Sequence, residues 1–201
     1  WSFVKRAGTV ILLSTVALWF LQSFGFEKGT FGLVSDSDFS LLATVGRMVA
    51  VAFAPLGFGS WQAAVATLTG LIAKEEVVST MSVLYPGNLY ANVSAVFSGV
   101  AAYSFMIFNL LCAPCFAAIG AIRREMNSAK WTWFAIGYMT GMAYVMAFII
   151  NQLGGTIFYG VPFGIGQVIA LVLVAALLWL LFRSYKPAGM SKRPATAGAR
   201  A

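Results

Sequence analysis

The chain has 201 residues, of which 60% are apolar and only 9% are charged, and its formal net charge is +7. A soluble domain carries about 25% charged residues, so this composition excludes an ordinary soluble globular domain. The chain contains no histidine, which excludes imidazole metal sites and catalytic triads that need an imidazole base.

Six apolar runs follow one another along the chain, and each is long enough to cross a bilayer as a helix. Because a helix satisfies its own backbone polar groups in lipid, we predict an all-α, polytopic transmembrane bundle of about six hydrophobic helices. The predicted spans are about 7–24, 40–57, 61–84, 100–122, 131–153 and 161–182. Charges interrupt the second and third runs, so one or two helices are expected to be broken or re-entrant. Pro55 and the glycines at 57 and 59 mark a tight connection between those two runs.

The start of the chain does not match a secretory signal. The run 7–24 follows Lys5 and Arg6, but it is long and no Ala-x-Ala cleavage sequence comes after it. The first residue is Trp1 instead of methionine. We therefore expect the chain to be a piece of a longer protein whose missing part lies upstream.

Basic residues indicate which side of the membrane each loop occupies. Most of the thirteen precede the first span, lie between the fourth and fifth spans, or follow the last, whereas the loop at about 25–39 is mainly acidic. The positive-inside rule then places both ends and the 123–130 loop in the cytoplasm. Six crossings satisfy this pattern, and four crossings with 40–84 as a re-entrant pair satisfy it equally. Topology and lipid headgroups explain the net charge without any nucleic-acid partner. The basic tail 183–201 has too little apolar content to fold alone and is predicted to be disordered.

The triplet Lys74-Glu75-Glu76 lies well inside the third run. Each charge at the centre of a membrane helix costs roughly 2.5–3.5 kcal/mol on insertion scales. One interpretation is that the helix ends just before the triplet, which then lies at an interface. The interpretation that we favour is a cation site or gate in which Glu75 or Glu76 supplies a carboxylate, with Arg47 as a possible partner.

The fourth run contains Cys112-Ala113-Pro114-Cys115. Pro114 lacks an N–H group and clashes with the carbonyl of residue 110 in a helix, so the Leu110 carbonyl is predicted to be free for a cation. Two thiols three residues apart on a helix share a face, and discontinuous helices of this kind build ion sites in transporters. Alternatively, both cysteines are small buried residues, which is the favoured interpretation for Cys112 and stays open for Cys115.

The same Cys-x-x-Cys spacing is also typical of thiol redox motifs. A membrane thiol–disulfide oxidoreductase that uses Cys112 and Cys115 is therefore the alternative function. It would require a reversible disulfide between the two thiols, in a motif that lies among apolar residues.

Two blocks of sequence resemble a known family. The first block extends from Phe53-Ala-Pro-Leu-Gly57 through Trp61-Gln-Ala63 to Gly70-Leu-Ile-Ala-Lys74-Glu-Glu-Val-Val78. The second joins Ala113-Pro-Cys115 to Gly120-Ala-Ile-Arg-Arg-Glu125. Together they resemble the second gate-type repeat of FeoB-type ferrous iron transporters, over nearly the whole chain up to about residue 183.

The resemblance implies uptake of Fe²⁺ across the bacterial inner membrane. In that family a cytoplasmic GTP-binding domain precedes a membrane domain with two gate repeats, so this chain would lack the G domain and the first repeat. GTP would then act only through the absent domain, and this chain itself would not be an enzyme. The implied partners are the lipid bilayer and those missing parts, with small accessory Feo proteins and a homo-oligomer left open.

The resemblance also assigns residues by position. Cys115 is the candidate metal-facing thiol and Glu75 the candidate carboxylate. Cys112 is not part of the family pattern and either adds a ligand or is incidental, and Glu76 is a further candidate ligand. Fe²⁺ accepts mixed oxygen and sulfur ligands, and an ion in transit must be held weakly enough to leave. Gating or structural roles are expected for Lys74, Pro114, Gly70 and Arg47.

Overall fold

The structure, a computed structural model, describes residues 9, 12, 13, 16, 19–27, 30–33, 39–85 and 87–183. Ten residues of the predicted span 7–24 are described, of which 9, 12, 13, 16 and 19–23 are helical, whereas nearly all of the tail 183–201 lies outside the described residues. Two short strands are followed by helices through to residue 182. The elements are β1 (Phe24–Glu27), β2 (Thr30–Leu33), α1 (Leu41–Phe53), a 3₁₀ turn (Ala54–Leu56), α2 (Trp61–Gly70), α3 (Glu76–Leu84), α4 (Leu89–Val96), α5 (Gly99–Leu111), α6 (Phe116–Met126), α7 (Ala129–Tyr159) and α8 (Ile165–Phe182).

Strands β1 and β2 form an antiparallel hairpin within the stretch expected to be an extramembrane loop. Phe24 pairs with Leu33, and Glu27 pairs with Thr30. A further bridge joins Gly25 to Ser40, whose hydroxyl accepts a hydrogen bond from the Ala43 backbone and caps α1. Strand β1 is therefore tied to the residue that caps α1.

Helices α7 and α8 are long and apolar enough to cross a membrane. Two further pairs of helices are long and apolar enough to cross a membrane only when the two helices of each bent pair are counted as one span. Leu41–Leu56 meets Trp61–Gly70 at 98°, and Tyr90–Val96 meets Gly99–Leu111 at 99°. The all-α class is confirmed, with two to four candidate spans among the described residues. The count of about six stays a prediction.

Two of the predicted runs are each divided between two helices. The run 61–84 forms α2 and α3, which are separated by turns at residues 71–75. The run 100–122 forms α5 and α6, because the backbone is extended at Cys112 (ψ 170°) and at Cys115 (ψ 160°). Pro114 lies between these two residues and cannot donate the hydrogen bond that a continuous helix would need. The two segments outside the helices are called the first break (71–75) and the second break (112–115).

A cluster of phenylalanine rings holds the α1–α2 connection against α5. Phe58 is only 2% exposed, and its ring centroid lies 5.2 Å from that of Phe53 on α1 and 5.2 Å from that of Phe105 on α5. Phe108 lies 5.2 Å from Phe53 and 5.9 Å from Phe58. Tilted and edge-to-face pairs at these distances stabilise a packed core.

Polar side chains of α7 bind the same connection from the other side. The amides of Asn151 and Gln152 both donate to the Pro55 carbonyl, at 3.2 and 3.0 Å. The Tyr144 hydroxyl donates to the Ala52 carbonyl at 2.8 Å. Gly57 adopts φ +89°, and an added Cβ there would collide with the Asn151 amide. These contacts satisfy carbonyl groups at the end of α1 that would otherwise lack partners in an apolar environment.

Candidate functional site

The two breaks lie against each other, and each supplies a hydrogen-bond partner to the other. The backbone N–H of Phe116, which begins α6, donates to the Leu71 carbonyl at 3.0 Å. In return, the Lys74 ammonium in the first break donates to the Asn109 carbonyl near the end of α5, at 2.6 Å. Helix ends carry backbone groups without partners inside the helix. These two hydrogen bonds give partners to such groups at both breaks.

The Lys74 ammonium has three acceptors at the C-terminal end of α5. Besides the Asn109 carbonyl, Nζ lies 3.3 Å from the Cys112 carbonyl oxygen and 3.5 Å from the Cys112 sulfur. The carbonyls that bind Lys74 are those of Asn109 and Cys112, not the predicted carbonyl of Leu110. Helix α5 ends at Leu111, so Pro114 lies outside the helix and its ring does not select the carbonyl four residues earlier.

The two cysteines are the first and last residues of the second break. Cys112 follows the last residue of α5 and is buried, whereas Cys115 precedes the first residue of α6 and is half-buried. Both are free thiols. The expectation that they share one helix face is wrong, because neither is inside a helix. One sulfur faces the Lys74 ammonium, and the other lies at the start of the next helix.

The two glutamates of the triplet follow Lys74 into α3. Glu75 is exposed just before the helix, and Glu76 is half-buried at its first position, where a negative charge is favoured by the helix dipole. Among the residues that the structure describes, no group of three or more cysteine, aspartate or glutamate side chains is arranged to hold a metal ion. The predicted ligands Cys115, Glu75, Cys112 and Glu76 thus do not form a closed site in this conformation.

Gly70, the last residue of α2, lies directly before the first break and close to α3 and α5. A Cβ added to Gly70 would be 2.5 Å from Cγ2 of Val77 on α3 and 3.7 Å from Oδ1 of Asn109 on α5. The Thr69 and Thr80 hydroxyls are 3.0 Å apart and link α2 to α3 directly. The absence of a side chain at Gly70 therefore lets α3 fold back closely against α2.

Arg47 is exposed on α1 and lies away from this junction. It lines a groove with Ser60, Trp61 and Gln62 at the start of α2, whereas Lys74 follows the end of that helix. This position favours a role at the α1–α2 connection.

The second break also borders a partly open cavity of about 480 Å³. Its lining includes Cys112, Phe108, Phe116 and Thr67. The Thr67 hydroxyl is buried without a hydrogen-bond partner. A polar group of this kind in an apolar wall is destabilising unless it is partnered, so Thr67 is a candidate contact for a ligand in this cavity that sequence patterns did not reveal.

A family model described as Gate: Nucleoside recognition matches residues 4–129, which include both breaks. The chain belongs to this Gate family.

Curated relatives of this Gate chain include several proteins named Fe(2+) transporter FeoB. The one from Staphylococcus aureus (strain COL) is 39% identical over 155 residues, covering 76% of this chain and 23% of the relative. The one from Methanocaldococcus jannaschii is 34% identical over 169 residues, covering 79% of this chain and 24% of the relative. A third, from Porphyromonas gingivalis, is named as an Fe(2+) transport protein A/Fe(2+) transporter FeoB fusion protein and is 28% identical over 200 residues, covering 76% of this chain and 24% of the relative.

These comparisons confirm the resemblance to FeoB-type transporters. The Gate chain spans about a quarter of the length of these curated relatives. The comparisons and the apolar helices α7 and α8 together identify a membrane protein. They give no support to a thiol–disulfide oxidoreductase. No solved structure matches the chain.

Gly70→Ala tests how closely the first break must pack. We expect the variant to destabilise the Gate chain by about 1–3 kcal/mol, because the added methyl group overlaps Val77 in a packed interface. Thermal unfolding in detergent should show a lower midpoint. Gly137→Ala is the matched control, since a Cβ at Gly137 on α7 would meet nothing within 4 Å. Equal midpoints for the two variants would show that α3 does not pack against Gly70.

Proposed function

We propose that this chain forms the membrane-pore part of a ferrous iron uptake transporter and moves Fe²⁺ into the cytoplasm. The names of the relatives support the ion, and the two facing helix breaks support the position of the path. The single observation that carries the proposal is the contact of Lys74 with the Asn109 and Cys112 carbonyls. These carbonyls lie directly before the second of the two sequence blocks that resemble the transporter family, and the Phe116 N–H inside that block donates to the Leu71 carbonyl in the first.

The chemistry of the groups around the breaks suits a divalent ion that must be bound and released. In the proposed path Cys115 and Glu75 are the principal ligands, and Cys112 and Glu76 are additional ones. A thiolate favours softer metals and a carboxylate favours harder ones, and Fe²⁺ accepts both. Ligands that are not closed into one site hold an ion weakly, as conduction requires. Broken helices present such groups at membrane depth in other transporters.

Other parts of the transporter would lie outside this chain. We propose that a separate G domain couples GTP binding to transport and that a first gate repeat completes the pore. We also propose that the protein lies in the inner membrane, with both ends of this chain on the cytoplasmic side. The name of the Porphyromonas gingivalis relative, which joins Fe(2+) transport protein A to the transporter, supports a small accessory Feo protein as a partner.

Glu75→Gln tests the carboxylate assignment. The amide keeps the size of the side chain but removes its charge, so uptake of radiolabelled Fe²⁺ by the full protein in proteoliposomes should fall by about tenfold, equivalent to about 1.4 kcal/mol of barrier height. Glu125→Gln is the control, because Glu125 is exposed near the end of α6 and should leave uptake unchanged. Full uptake by Glu75→Gln at equal protein levels would remove Glu75 from the path.

A further inference from the structure

The Lys74 ammonium occupies a place with the chemistry of a metal site. Its three acceptors are two carbonyl oxygens and one sulfur, at 2.6, 3.3 and 3.5 Å. Cys112, which supplies two of them, is buried. Its sulfur also lies 3.5 Å from the Asn109 carbonyl oxygen, so these two acceptors are in contact with each other as well as with the lysine.

The location of these acceptors favours a cation for a second reason. They are at the C-terminal end of the thirteen-residue helix α5, where the helix dipole places partial negative charge. Carbonyl groups at the ends of interrupted helices coordinate cations in several transporters. A set of two oxygens and one thiolate suits first-row divalent ions and Cd²⁺ better than it suits Mg²⁺ or Ca²⁺, which prefer oxygen ligands alone.

The lysine and a metal ion cannot use this set together. Both are positive, both need the same lone pairs, and like charges at this distance repel strongly where water is scarce. Lys74 is also well placed to move, since residues 71–75 form turns and its side chain can withdraw without unwinding a helix.

We propose that the Asn109 carbonyl, the Cys112 carbonyl and the Cys112 sulfur form a divalent-cation site that the Lys74 ammonium closes in this conformation. An arriving ion takes the place of the ammonium, and the Cys112 thiol releases its proton to water as the metal–sulfur bond forms. Lys74 is then an internal competitor of the transported ion. This extends the proposed function by adding a gate to the same site.

The test is metal binding by the full protein in lipid nanodiscs, with Cd²⁺ as the probe and its thiolate absorption band as the readout. Lys74→Leu removes the charge and adds no metal ligand, so Cd²⁺ should bind about tenfold more tightly or better than in the wild type. Lys74→Arg keeps the charge and should bind as weakly as the wild type. The double variant Lys74→Leu with Cys112→Ser should lose the gain. Equal Cd²⁺ affinity in the wild type and in folded Lys74→Leu would overturn the proposal.

A second measurement needs no variant at position 74. Saturating Cd²⁺ should raise the rate at which an acylating reagent modifies the Lys74 amine in the wild-type protein, as followed by peptide mass spectrometry, because the displaced ammonium becomes accessible. An unchanged rate would also overturn the proposal. Neither readout measures transport, so wild-type protein that binds Cd²⁺ as described but takes up no Fe²⁺ in proteoliposomes would refute the proposed function and leave the Lys74 gate standing.

Discussion

Replacement of Cys115 by serine is expected to lower Fe²⁺ uptake by about tenfold or more, which corresponds to at least about 1.4 kcal/mol of barrier height. Cys115 is half-buried between Pro114 and the first turn of α6, beside the N–H group that binds the Leu71 carbonyl. Serine has almost the same size as cysteine, so the local packing should be kept. A serine hydroxyl is a poor ligand because it does not ionise as a thiol does, and it lacks the softness that favours Fe²⁺ over Mg²⁺.

The measurement is initial uptake of radiolabelled Fe²⁺ by the full protein in proteoliposomes, under anaerobic conditions and at equal protein levels. Ala121→Ser is the control, because it places a hydroxyl group on the same helix, away from the second break. It should leave uptake close to the wild-type rate. Unimpaired uptake by the Cys115→Ser variant would mean that the ion does not use this thiol.

Replacement of Phe58 by alanine is expected to reduce the stability of the bundle by about 3–5 kcal/mol. Phe58 is 2% exposed and contacts rings on both α1 and α5. Between helices in lipid, close packing replaces the hydrophobic effect as the main source of stability, so the cavity left by the ring is costly. The α1–α2 connection would also lose its main contact with α5, which carries the acceptors of Lys74.

Thermal unfolding in detergent measures this effect. Phe182→Ala is the matched control, since Phe182 is 81% exposed at the end of α8 and should change the midpoint little. If both variants unfold at the same temperature, the phenylalanine cluster does not hold the connection in place.

The regular helices could be predicted because their signal is local. The predicted runs 131–153 and 161–182 contain most of α7 and α8, since uninterrupted apolar sequence specifies a membrane helix directly. The end of α7 could be predicted less accurately. Asn151 and Gln152 look like residues of a helix end, but the helix continues to Tyr159 and both amides donate to Pro55, almost a hundred residues earlier in the chain.

The candidate functional site could also be predicted only where its signal is local in the sequence. Pro114 and the charged triplet correctly indicated that two helices are interrupted, because a proline or a charge within an apolar run is a local defect in a membrane helix. The pairing of the two breaks could not be predicted, since Lys74 and Cys112 are 38 residues apart in the chain. The hairpin at Phe24–Leu33 was also missed, because its four-residue strands carry no alternating pattern strong enough to stand out within a loop.

Alkylation of Cys115 with and without Fe²⁺ tests most directly whether the ion passes the two helix breaks. The full protein in proteoliposomes is treated anaerobically with a maleimide, and labelling of Cys115 is followed by mass spectrometry while the Fe²⁺ concentration is raised. We predict that Fe²⁺ slows the labelling, with half-protection near the concentration that half-saturates uptake. Labelling of Cys115 that is unaffected by Fe²⁺ at concentrations that saturate uptake would contradict the placement of the ion path at these breaks.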